Sequence, residues 1–281
     1  GFAGIVGLKP SFGRVPAWPA SPMGTLSHIG PMARTVGDVA LMLNVLSEPD
    51  ARDWMSLPYT GTDWTAGLAD GIKGMKVAFS PRLGYAKVHP EVAELVAKAA
   101  KVVAGLGARM EEVDPGFPDP VDIYWTHWAV GAFGGMRHLS PAQRAMLEPA
   151  FNEVIDTGAR TPLAAYLDAV AARFALGMKM RQFHERFDLL LTPSLAVPAF
   201  KVGQTAPEPP FGGNAWTKWT PFSYPFNLTQ QPAASVPCGF TSEGLPVGLQ
   251  IVGPMHREDL VLRAAAAFEA AQPFAQRRPA L

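Results

Sequence analysis

The sequence holds a single cysteine, Cys238. One thiol forms neither an internal disulfide nor a cysteine-based zinc site, so packing must hold the fold; a reducing compartment fits this without following from it, and a cytoplasmic location is the expectation. Neither sign of charge is in excess: 24 Lys and Arg stand against 24 Asp and Glu. With no Lys/Arg-rich run, nothing predicts a nucleic-acid partner. Long apolar runs are missing too. Stretches such as "ALMLNVL" and "AAAAFEAA" fall well short of the roughly 18 residues of a membrane span, so no membrane partner is expected. The chain opens on Gly1 rather than Met, without a signal-peptide pattern. It contains no G-x-S-x-G nucleophile elbow, no S-x-x-K, no H-E-x-x-H and no phosphate-binding loop. His28, His89, His127, His138, His184 and His256 are scattered, with no metal-ligand spacing, and read as core or exposed residues. No metal and no organic cofactor is expected.

What the chain does have is apolar bulk: 48% hydrophobic against 17% charged residues over a length of 281. That suits one large domain or two smaller ones with a sizeable core. After an irregular Gly/Pro-rich opening, "ARTVGDVALMLNVLS" carries Thr35 and Asp38 at capping-box spacing. Val36, Val39, Ala40, Leu43 and Leu46 then share one helical face. Residues 49–73 form a Pro/Asp/Gly/Trp-rich connection. "MKVAFS" at 75–80 reads as a buried strand. A helix follows over 90–106, stopped by Gly105 and Gly107, and then the strand "ARMEEV". Strand, helix and strand over so short a stretch predict a parallel βαβ unit across 75–114. Residues 119–186 read as mostly helical, and "FDLLLTPS" (187–194) as a strand covered on both faces. Residues 203–213 read as a loop. "AASVPCGF" and "LPVGLQIVG" predict a hairpin turning at "TSEG" (241–244), and "REDLVLRAAAAFEAA" a closing helix.

Two sets of residues are candidates for chemistry or binding. Lys9 and Ser11 would share a face of an extended strand, as a Ser/Lys pair requires. The intervening Pro10 and nearby glycines instead predict a turn, in which the lysine fixes backbone carbonyls. Aromatic rings gather twice: Tyr124, Trp125, Trp128 and Phe133 on a predicted helix, and Phe211, Trp216, Trp219, Phe222, Tyr224 and Phe226 in and after the Pro/Gly loop. Rings at helical spacing are usually core, but loops beside a rigid sheet often carry binding sites. Trp125, Trp128, Trp216, Trp219 and Phe222 are therefore the candidate substrate-binding residues.

"GFAGIVGLKPSFGRVP" resembles the tail of the amidase signature. Gly4, Gly7, Lys9 and Pro10 stand in the register of that family's G-x-x-G-x-K-P piece. The resemblance continues through "SHIGPMARTVGDVALML", "FDLLLTPS" and "NLTQQPAASVPCGFTSEGLPVGLQIVGP" and so spans nearly the whole chain. It implies an α/β fold with a mixed, mostly buried sheet flanked by helices. It also implies hydrolysis of a carboxylic amide, or transfer of the released ammonia, by a Ser–cis-Ser–Lys relay. In that relay a serine attacks the carbonyl, a second serine passes its proton, and a neutral lysine acts as base. Backbone N–H groups beside the nucleophile hold the oxyanion.

In the family all of these groups precede the point matched by Gly1, so the resemblance assigns no catalytic residue to this chain. Residues 1–281 are expected to be the C-terminal majority of one amidase domain, lacking its N-terminal part and predicted inactive alone. Expected partners are a small-molecule amide, the upstream segment of the same protein and a second copy of the chain. The alternatives are a catalytically dead binding remnant and the A-type component of an amidotransferase that works on glutamyl-tRNA. The remnant would bare sheet edges and apolar surface. The amidotransferase branch carries a stretch like A-E-A-S-S-N-L-A-R-Y-D-G where this chain reads "VDIYWTHWAVGAFGG". A small amide with an aryl or apolar group is the expected substrate.

Overall fold

Hydrophobic alternation in the strands explains the architecture. In β5 (Leu189–Pro193) every residue is buried. Leu189 and Leu191 point into one apolar layer and Leu190 into the other. β3 (Lys76–Phe79) does the same with Val77 and Phe79 against Ala78. A strand buried on both faces must have helices on both, and it does.

The computed structural model describes residues 1–211, 217 and 219–277. Among them seven strands form one mixed sheet, in the order β2-β1-β6-β7-β5-β3-β4. Its other members are β1 (Val6–Lys9), β2 (Met32–Ala33), β4 (Arg109–Glu112), β6 (Ala233–Phe240) and β7 (Pro246–Val252). β3 runs parallel to β4 and to β5, and the remaining pairs are antiparallel. The βαβ unit forms as expected, with α2 (Pro90–Gly105) between β3 and β4. The β6–β7 hairpin turns at Thr241–Gly244, where Gly244 has φ +79° and its N–H donates to the Thr241 carbonyl (2.9 Å). That backbone region suits glycine.

One face of the sheet packs α1 (Val36–Leu46), α2 and α8 (Glu258–Ala271). The other packs α6 (Leu163–Arg186) and α7 (Tyr224–Leu228), with α3 (Val121–Met136) and α5 (Pro149–Arg160) beyond them. A short α4 (Pro141–Arg144) links α3 to α5. Helix α1 is capped as its sequence predicts: Thr35 Oγ1 accepts from the Asp38 N–H (3.1 Å). The Asp38 carboxylate closes the turn differently from a capping box, accepting the Thr35 hydroxyl (2.6 Å) rather than its backbone N–H.

The opening stretch lies only partly inside the structure: Ala3 is exposed, and Gly1, Phe2, Gly4, Ile5, Gly7 and Lys9 are half-buried. Val6 and Leu8 are buried, and β1 lies between β2 and β6. The irregular Gly/Pro-rich opening, read over Gly7 to Pro31, needs correcting at its start. Gly7 and Lys9 belong to β1, and Met32–Ala33 supply its second neighbour. No described helix is long and apolar enough to cross a membrane.

Candidate active site

Alternation along β6 and β7 divides the middle of the sheet chemically. Ala234, Val236 and Cys238, with Val247, Leu249 and Ile251, feed the apolar layer under α1, α2 and α8. The opposite face carries Ser235, Gly248 and Gln250 instead. Ser194, just beyond β5, completes this polar centre. Its N–H donates to the Gly248 carbonyl (2.9 Å). Its hydroxyl shares a 2.7 Å hydrogen bond with that of Ser235. Gly248 makes the pairing sterically feasible, because a Cβ there would stand 2.7 Å from both hydroxyl oxygens. Gln250 Nε2 donates to Thr192 Oγ1 (2.9 Å) and to the Phe222 carbonyl (2.8 Å).

Residue 1 lies against this centre: a Cβ on Gly1 would meet Ser194 Cβ at 3.4 Å and Leu195 Cδ1 at 3.2 Å. The next residue, Phe2, stacks on Trp219, with ring centroids 5.5 Å apart and planes 10° from parallel. Phe200 meets both edge-on, at 5.7 Å from Phe2 and 5.3 Å from Trp219. These three half-buried rings form one aromatic wall, linked to the Ser194–Ser235 pair through Gly1, the chain neighbour of Phe2. Such edge-on and offset stacks add roughly 0.5–1.5 kcal/mol per pair beyond burial. A second wall comes from α3, where Tyr124 lies against Trp128 (5.6 Å) and stacks on Tyr224 (5.4 Å). That stack joins the two aromatic groups seen in the sequence. Segment 219–224 is pinned from several sides. Tyr85 donates its hydroxyl to the Pro221 carbonyl (2.9 Å), and Tyr224 donates to Asp119 Oδ1 (2.6 Å). Burial raises the pKa of both phenols, so they stay protonated donors.

The five candidate binding residues occupy different environments. Trp219 is in the first wall and Trp128 in the second. Trp125 packs with Trp128 on the layer between α3 and α5, around Ala129, Val154 and Ile155. Phe222 is fully buried in the core, touching the polar centre through its backbone carbonyl. Trp216 lies outside the described residues. Phe2 and Phe200 escape a reading of the sequence, where the only signal is a lone ring at each end of a Gly/Pro-punctuated stretch.

Lys9 and Ser11 do not meet as a catalytic pair. Lys9 Nζ donates to the Gln231 carbonyl and lies 3.5 Å from that of Pro10, the backbone-fixing role its turn suggests. Burial lowers the pKa of its amine to about 7, partly opposed by Glu258. Ser11 Oγ accepts from the His256 N–H (2.9 Å), and the Ser11 N–H donates to Glu258 Oε1 (2.8 Å). The thiol of Cys238 is no nucleophile either, since burial pushes it up to about 12. Among the described residues no three His, Cys, Asp or Glu side chains gather as a metal site would need.

The family model described as Amidase matches residues 1–262. An acylamidase of Rhodococcus erythropolis is 35% identical over 283 residues, covering 99% of this chain and 59% of the relative. The A-type component of the glutamyl-tRNA(Gln) amidotransferase of Lactiplantibacillus plantarum is 32% identical over 306 residues, covering 99% and 61%. The solved structure of a bacterial aryl acylamidase of the amidase signature enzymes superposes with a TM-score of 0.86 at 32% identity, covering 98% of this chain and 60% of that one. The chain thus spans about three-fifths of the length of the relatives it matches.

Proposed function

The chain belongs to the amidase family, and on that premise we propose that it forms part of a cytoplasmic serine hydrolase of small carboxylic amides with an aryl or apolar group. The observation that carries this reading is the Phe2–Phe200–Trp219 wall, joined through Gly1 to the Ser194–Ser235 centre. Flat apolar rings next to a few fixed polar groups suit an aryl or acyl substituent, with the amide over the polar end. Identity to an acylamidase and to an aryl acylamidase structure supports the same class.

In this proposal the nucleophile, the bridging serine and the base lysine lie upstream of Gly1, in a segment of the kind that makes the relatives longer. The serine adds to the amide carbonyl, its proton passes through the second serine to the lysine, and the amine leaves. Water then hydrolyses the acyl-enzyme. In this reading Lys9 and Ser11 take no part in the relay: the Lys9 amine is engaged by carbonyls, and the Ser11 hydroxyl accepts from the His256 N–H. The residues described here form the floor and the aromatic walls. Proposed partners are the amide, the upstream segment and a second copy of the chain. Relatedness to the A-type amidotransferase component favours a second reading, ammonia transfer on glutamyl-tRNA. The absence from α3 of that branch's motif makes it the weaker one.

Turnover assays separate the readings. The 281-residue chain alone should leave aryl and aliphatic amides intact. The same chain preceded by its upstream segment should hydrolyse aryl amides and be silenced by a fluorophosphonate. Hydrolysis by the short chain, or glutamine-dependent amidation of glutamyl-tRNA by the long one without aryl-amide turnover, would overturn the proposal.

A further inference from the structure

Helix α6 is apolar on two opposite faces. Its inner face buries Ala169, Leu176, Met180 and Phe183. Its outer face exposes Leu163, Leu167, Phe174 and Met178, each between 55% and 73% accessible. Over residues 163–178 the charged side chains are Asp168 and Arg173. Arg173 turns inward, donating to the Leu228 carbonyl (2.7 Å) and Thr25 Oγ1 (2.8 Å). A helix without a polar face is normally covered on both sides.

Leu163 apart, the outer residues fall with the exposed Ala164 and Ala171 into a heptad register over two repeats. Ala164, Leu167, Ala171, Phe174 and Met178 follow one another at alternating steps of three and four. That spacing matches the a/d seam that one helix offers another. Within Ala164–Phe174 the small residues hold a and the large ones d. Two such seams run parallel would set Ala against Ala and Phe against Phe, giving alternately empty and overfilled layers. Run antiparallel, each layer holds one small and one large residue: Ala164 against the partner copy's position 174, and Leu167 against its position 171. The seam is thus complementary to itself about a two-fold axis, as an isologous dimer requires. Four largely exposed side chains from each copy, with their surroundings, would bury on the order of 1,000 Å², the low end for a specific interface.

We propose that the outer face of α6 is a homodimer interface, in which two copies pair antiparallel through Ala164, Leu167, Ala171 and Phe174. This gives a place to the second copy named among the proposed partners. It does not depend on the reaction, so turnover is not among its tests.

Sedimentation velocity over a concentration series should show a monomer–dimer equilibrium. Leu167→Glu or Phe174→Glu should weaken it by at least roughly ten-fold, as central anchors do, without moving the melting temperature measured at concentrations where the wild type is monomeric. Orientation is tested by cysteine pairs. Positions 164 and 174 of one helix are about 15 Å apart along its axis, too far for a bond within one chain. Ala164→Cys/Phe174→Cys should therefore give a disulfide-linked dimer under mild oxidation, while neither single substitution should; the native Cys238 is buried. The proposal is overturned by a monomer at every soluble concentration, by a dimer indifferent to both glutamates, or by linkage through Ala164→Cys alone, which would mean a parallel pair. It is also overturned if the chain extended by its upstream segment is monomeric and shields a thiol at position 174 from alkylation, since the segment would then own the face.

Discussion

Phe2 and Trp219, more than two hundred residues apart in sequence, stack with centroids 5.5 Å apart and planes 10° from parallel. The contact ties the opening stretch, inserted through β1, to the segment that leads into α7. If this stack borders the substrate, Trp219→Ala in an enzyme carrying its upstream segment should act selectively. Loss of a few tens of Å² of apolar contact is worth roughly 1 kcal/mol, or about five-fold in kcat/KM on aryl amides. Acetamide-sized substrates should be nearly unaffected. Equal losses on both, with a fall in Tm, would make the ring structural.

Phe222 should behave in the opposite way. Its side chain is fully buried, and its carbonyl is held by Gln250. Phe222→Ala leaves a cavity costing roughly 3–5 kcal/mol. For a chain of this size that corresponds to a melting temperature lower by about 10 °C. Large and small amides should lose activity in the same proportion. A substrate-selective loss at unchanged Tm would move Phe222 into the binding site.

The sequence was most informative where periodicity and turn chemistry agreed. "FDLLLTPS" could bury both faces only inside a sheet, and "TSEG" supplied the left-handed glycine its hairpin needs. β1 was harder to read. Glycines at 4 and 7 blur the alternation of Val6 and Leu8, and its partner β2 is two residues long. The candidate site was legible as a list of rings but not as a place. Helical spacing puts Tyr124 and Trp128 on one face, yet their partner Tyr224 comes from a distant segment. Nothing in the spacing of 219 to 226 separates half-buried Trp219 from fully buried Phe222.

Gly248 tests the polar centre. Gly248→Ala places a methyl 2.7 Å from the hydroxyl oxygens of Ser194 and Ser235, so the pair must separate or the strands must shift. A destabilisation of roughly 1–3 kcal/mol is expected, as for other overpacked sites. In a Ser194→Ala/Ser235→Ala background the same change should cost clearly less, because both oxygens are gone. Denaturant titrations of the four proteins give the coupling. Equal costs in both backgrounds would mean that backbone strain, not the serine pair, fixes the glycine.

Lys9 should leave a signature in the pH dependence of stability. Burial lowers its folded-state pKa to about 7, against 10.5 for the ordinary amine. Between these values the unfolded chain binds a proton at this site that the folded chain does not, so the Lys9 contribution to stability rises as pH goes from 7 to 10.5. Below about pH 7 both states are protonated, and the full cost of burying the cation is present. Lys9→Met removes the titration but also the hydrogen bonds to the Gln231 and Pro10 carbonyls, a loss that does not vary with pH in this window. The stability of the wild type relative to Lys9→Met should therefore climb from pH 7 to 10.5 and level off on either side. Glu258 opposes the shift, so in a Glu258→Gln background the climb should begin at lower pH. Urea titrations at half-unit pH steps measure the difference directly. A flat difference across the window would mean that Lys9 remains charged in the folded chain, with its cation fully compensated by Glu258 and the two carbonyls.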